Sequence, residues 1–103
     1  MPTSPQILAE GQIAATKTTI FTATGQTVVR LINVTHVANG VQSVVLYVKK
    51  ASSTSRVLAR VTLDVDEFAE EDQIITLDTG DEIEGETTDA LSVDYLIMGV
   101  AIT

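Results

Sequence analysis

Six carboxylates crowd into the segment from residue 64 to residue 72: Asp64, Asp66, Glu67, Glu70, Glu71 and Asp72. Ca²⁺ takes about six to eight oxygen ligands from closely spaced carboxylates, so Asp64, Asp66, Glu67 and Glu70 are the candidate metal ligands. The spacing does not follow an EF-hand loop, because the required glycine is missing. A solvated acidic rim is the leading reading of this segment, ahead of a cation site or a charged contact with a basic partner. The turn at Asp78, Asp81 and Glu82 reads the same way.

Other chemistry finds little support. His36 is the sole histidine and the chain has no cysteine, so a metal site or a nucleophile–base pair would lack partners. A small hydrolase would rest on His36 alone. Gly11, Gly25, Gly40, Gly80, Gly85 and Gly99 are scattered singly, which excludes a glycine-rich phosphate loop. No serine lies in a nucleophile-elbow context. Paired carboxylates for glycoside hydrolysis would need an aromatic-lined cleft, and the aromatics are only Phe21, Phe68, Tyr47 and Tyr95. Asn33-Val34-Thr35 matches a glycosylation acceptor, which has meaning only in a secreted chain. The residues therefore predict a chain that is not an enzyme and uses no cofactor.

The elements that would position any such groups are strands. Val, Ile and Thr supply 37 of the 103 residues, and β-branched side chains fit a pleated surface better than a helix. One domain is expected, preceded by a flexible tail over residues 1–6 in which Pro2 and Pro5 stand. Strands are predicted over 7–15, 17–23, 26–37, 41–50, 56–65, 73–77, 82–87 and 90–103, divided by turn residues such as Asn39-Gly40. Between 56 and 65, Val57, Ala59, Val61 and Leu63 form the inward set. Residues 66–72 break the alternation and suit at most one short helical turn, with Phe68 anchoring it in the core.

The last strand is apolar on both faces. Leu91, Val93, Tyr95 and Ile97 point one way, and Leu96, Met98, Val100 and Ile102 the other. That pattern predicts burial by a second sheet on one side and by another subunit on the other. About eight antiparallel strands and no long helix predict an all-β sandwich, jelly-roll-like, ahead of a closed barrel.

The formal charge is −8, which argues against phosphate-mediated binding to nucleic acid. No apolar stretch is long enough to span a bilayer as a helix, and no signal peptide is visible, so a soluble protein made in a cytoplasm is expected. Charge is also segregated. All six basic residues (Lys17, Arg30, Lys49, Lys50, Arg56 and Arg60) precede residue 61, whereas thirteen of the fourteen acids follow residue 63. Such a split offers basic-to-acidic contacts between neighbouring copies. Arg30, Lys49, Lys50, Arg56 and Arg60, with Tyr95, Met98, Val100 and Ile102, are the candidate interface residues.

From Ile74 the chain reads Ile-Ile-Thr-Leu-Asp-Thr-Gly-Asp-Glu-Ile, and it later closes on Leu91-Ser92-Val93-Asp94-Tyr95-Leu96-Ile97-Met98-Gly99-Val100. A strand leading into a Leu-x-x-Gly-Asp-x-Ile turn, with a final apolar-Gly-apolar step, resembles small virion structural proteins of tailed bacteriophages. The N-terminal half, with Glu10-Gly11-Gln12-Ile13, Thr18-Thr19-Ile20-Phe21-Thr22 and Thr27 to Thr35, is similar to that group as well. The resemblance spans about residues 7 to 102, and the very acidic middle departs from it. It implies a β-sandwich subunit displayed on a virion, foremost a capsid decoration (cement) protein. Such a protein would form a homo-oligomer, with a trimer favoured, and bind the major capsid protein or other virion proteins. Neck, collar, head-fibre and tail components are the alternatives within the same resemblance. A carbohydrate- or Ca²⁺-dependent ligand-binding sandwich is the alternative of another class.

Overall fold

The structure is a computed structural model, and it describes residues 6–102. The expected tail over residues 1–6 lies outside the described residues, save for Gln6, which opens the first strand.

Nine strands form among the described residues: β1 (Gln6–Gln12), β2 (Thr18–Thr22), β3 (Thr27–His36), β4 (Gln42–Lys49), β5 (Arg56–Leu63), β6 (Phe68–Glu71), β7 (Ile75–Leu77), β8 (Glu82–Thr87) and β9 (Val93–Ala101). All pairings are antiparallel. One sheet runs β1-β9-β3-β6, with β7 also on β3; the other runs β2-β8-β4-β5. The topology follows from one long hairpin folded over itself. Around the loop after β4, the first half of the chain pairs with the second in reverse order: β4 with β5, β3 with β6 and β7, β2 with β8, β1 with β9. Rolling that ribbon adds the β3–β9 and β4–β8 ladders. This is the jelly roll expected from the strand pattern.

Alternation places Val29, Ile32 and Val34 of β3 and Val93 and Ile97 of β9 between the sheets, opposite Val44, Leu46 and Ile83. These side chains are almost completely buried. Burying each contributes about 1.5–3 kcal/mol relative to exposure, so the aliphatic core holds the fold without help from Trp or disulfides.

Two local expectations change. Residues 66–72 make no helical turn: Val65 and Asp66 turn the chain, and β6 then pairs with β3. Ala69 packs inward from β6 towards the core, whereas Phe68 lies 63 % exposed and anchors nothing. Four residues are too few to show a period, which is why the strand escaped the alternation reading. In β5, Tyr47 pairs with Val57 while Leu46 pairs with Ala59, so Leu58 is an inserted residue. Such a bulge reverses the faces before it. Val57 therefore points outward, 47 % exposed, and Leu58 packs against the core in its place.

Candidate interaction surfaces

His36 is a core residue. Its side chain is 1 % exposed at the end of β3. Nδ1 accepts the Ala38 amide at 3.1 Å, so the proton sits on Nε2, which donates to the Gly40 carbonyl. Both nitrogens close the turn of residues 37–41, where Gly40 takes a φ of +82°, and neither is free to act as a base. Replacing His36 with Ala should cost about 2–4 kcal/mol, from the vacated volume and two lost hydrogen bonds. Urea denaturation would measure it, with faster amide exchange expected at Ala38.

Gln42 is the neighbouring polar tie. Completely buried, it donates to Asp89 Oδ2 at 3.0 Å and accepts from Thr87 Oγ1 and the Asp89 amide. No buried polar side-chain atom lacks a partner among the described residues. A buried polar group held this way is structural, and it leaves no orphan for a substrate to satisfy.

The four candidate metal ligands do not converge. Glu67 turns back and accepts the Asp64 amide at 2.6 Å, while the Glu67 amide donates to the Asp64 carbonyl at 3.0 Å. Asp66 sits in the left-handed region at φ +67°, and Glu70 lies further along on β6. Among the described residues, no three His, Asp or Glu side chains are grouped to hold a metal ion.

The two outer faces differ in kind. In the β2-β8-β4-β5 sheet, the register puts Glu82, Glu84 and Glu86 of β8 outward beside Lys49, Tyr47 and Val45. The row is tied by hydrogen bonds from Thr19 to Glu82, Ser55 to Glu84 and Tyr47 to Glu86. The Glu86 carboxylate, by accepting from the Tyr47 hydroxyl, holds that phenol's pKa above its ordinary value. Lys17 lies 4.9 Å from the centre of the Tyr47 ring, a cation–π contact.

The other sheet carries an apolar strip. Met98 pairs with Leu31 on one side and Ile7 on the other, Val100 pairs with Val28, and Leu96 lies beside Asn33. Each is only partly covered, and Ile7 is 54 % exposed. Met98 and Val100 were expected at an interface, and they stand on this outer face. Ile102 follows β9, with its amide bonded to the Gln26 carbonyl at 2.8 Å. Arg30 is exposed at the bulge of β3. Tyr95 is a different case: its ring packs beneath Gly11 and its hydroxyl donates to the Ile20 carbonyl at 3.2 Å, so it closes the gap between sheets at the β1/β2 side. Lys50 is consumed within the chain, paired with Asp81 at 2.5 Å.

At one end of the sandwich the turns after β3 and β8 meet, through the Val37 amide and the Ser92 carbonyl. Val37 and Leu91 are exposed there. Leu91 has a φ of +65°, a region that bulky side chains avoid.

No protein-family profile matches the chain, and no curated protein matches it. Among solved structures, it is similar to a chain of the Bacillus endospore appendages, described as a novel family of disulfide-linked pili. The TM-score is 0.51 at 14 % identity, over 93 % of this chain and 83 % of that one. At that identity the likeness concerns the fold alone. Disulfide linkage is closed to the present chain, which has no cysteine.

Gln42, Glu84 and Glu86 escaped sequence reasoning, and Asp81 and Glu82 were legible only as part of a solvated acidic turn. Their partners include residues 29 to 63 positions away along the chain, which no local spacing signals.

Proposed function

We propose that the chain is a non-enzymatic structural subunit of a phage virion, foremost a decoration protein that binds the assembled capsid shell in many copies. The observation that carries this reading is the strip of Leu96, Met98, Val100, Leu31 and Ile7 on the outer face of a sheet whose inner face already fills the core. An apolar outer face on a domain with its own complete core suits contact with another protein chain. The sequence resemblance to small phage virion proteins supplies the address. Weak single contacts, repeated over many copies of a shell, would gain strength by avidity.

Immunogold labelling of particles from a lysate in which the chain is made tests this reading. Gold over the heads supports decoration. Gold confined to neck or tail moves the subunit there, and no gold on any particle overturns the virion reading. A second reading, a subunit of a non-covalent filament, is favoured by the fold shared with the appendage chain over 93 % of this one. Filaments grown by the purified protein in negative stain would support it.

A further inference from the structure

The two long sides of the sandwich are unequal. At the β1/β2 side, Tyr95 crosses between the sheets and its hydroxyl reaches the Ile20 carbonyl. At the β5/β6 side the sheets part around a cleft of about 220 Å³ with Val34, Leu46, Ala59, Val61 and Ala69 in its lining. Both strands bordering that cleft are free edges, since β5 pairs only with β4 and β6 only with β3. A free edge presents unpaired amides and carbonyls to another strand.

Charge distinguishes the two edges. β5 carries Arg56 and Arg60, and β6 carries Glu70 and Glu71. Arg60, Glu70 and Glu71 line the same cleft and so stand at one level. Among the described residues, none of these four takes part in an ion pair. Val57 and Phe68, on the same two strands, are 47 % and 63 % exposed.

We propose that this side binds a second copy of the chain through a two-fold axis parallel to the strands. Such an axis sets β5 of one copy against β6 of the other, twice, because β5 and β6 lie in different sheets on the same side. The strands meet antiparallel, as β5 and β6 themselves run in opposite directions. Each sheet of one protomer continues into the opposite sheet of its partner, so four free edges are closed together. Arg60 faces Glu70 and Glu71 of the second copy, and the apolar cleft is covered. The perpendicular two-fold would set β5 on β5, Arg against Arg, and β6 on β6, Glu against Glu. Electrostatics therefore selects the first arrangement. It is a dimer, unlike the trimer implied by the phage resemblance, and it stands independently of where the protein is displayed.

Sedimentation equilibrium over a concentration series tests the contact in the purified chain, with circular dichroism as the check on folding. Wild-type protein should approach twice its 11.0 kDa mass, and raised salt should weaken the association. Arg60→Glu and Glu70→Arg should each lower the affinity roughly tenfold or more, because every substitution acts at both symmetric contacts. The double variant, with the charges exchanged, should recover most of it. A monomer at every concentration would overturn the proposal, as would a trimer or open-ended growth. So would association indifferent to salt and to both single reversals. None of these results touches the virion reading, which is decided by labelling of particles.

Discussion

Gly99→Ala should leave the chain largely unfolded, with little soluble protein recovered and no cooperative thermal transition. Gly99 lies in the middle of β9, flanked by Gln6 of β1 and Val29 of β3. A Cβ built there would overlap the Val28 carbonyl oxygen and lie 2.9 Å from Val29 Cα. Both are backbone atoms of the central β3–β9 ladder, so no side chain can rotate aside to make room. The close approach coincides with the bulge in β3 between Val29 and Leu31. Relief requires the two strands to part where they bury Val29 and Ile97. The expected cost exceeds about 4 kcal/mol, against a total stability of about 5–15 kcal/mol for a domain. Gly85→Ala is the matching control. That glycine is also buried in a central strand, yet its added methyl would meet Ile13 Cγ2 at 3.5 Å, Ile20 Cδ1 at 3.6 Å and Leu46 Cδ2 at 3.6 Å. These are ordinary contacts, and the change should stay within about 1 kcal/mol.

The contrast between those two glycines also marks what was legible in the sequence. Gly99 belongs to an apolar-Gly-apolar step that the sequence displays, but the need for glycine comes from the bulge on β3, some seventy residues away. Alternation revealed the strands and the two-faced character of β9, because a period of two is written locally. It misread the start of β5, since one inserted residue opposite Tyr47 turns Val57 out and Leu58 in. Acid density drew attention to 64–72, whereas the carboxylate held by the most partners is Asp81, in a turn whose sequence reads only as a second solvated acidic rim. His36 looked like the one reactive group, and its ring proves to be fastening for the next turn. Composition reports which groups exist; which of them meet is decided by long-range strand pairing. The basic and acidic halves of the sequence are a case in point, for the fold brings β5 and β6 to one side and turns a separation along the chain into adjacent edges.

Asp81→Asn should destabilise the protein at neutral pH by roughly 2–4 kcal/mol, and the loss should vanish in acid. The Asp81 side chain is buried at the turn before β8, and it binds three groups. Oδ2 takes Lys50 Nζ at 2.5 Å and the Asp78 amide at 2.8 Å, while Oδ1 takes the Ala51 amide at 2.8 Å. It thus joins the turn after β7 to the loop after β4, where Ser52 holds a φ of +61°. Lys50 first, then the amides of Asp78 and Ala51, hold its pKa down to about 2. In the unfolded chain the value returns to about 3.9. The unfolded state therefore binds the proton more readily, and the carboxylate's contribution is present in full only above about pH 4. It falls as pH drops from about 4 towards 2, and below that range it is gone. Thirteen other acids titrate as well, so the variant must be compared with wild type at each pH. Urea denaturation should show a clear gap at pH 7 that narrows to nothing near pH 2. A gap that stayed constant would assign the loss to shape instead of charge. Lys50→Met separates the partners. Lys50 is 53 % exposed, so solvent already screens it and its removal should cost about 1 kcal/mol or less. Loss of the hydrogen bonds from the Asp78 and Ala51 amides supplies the rest of the Asp81→Asn cost.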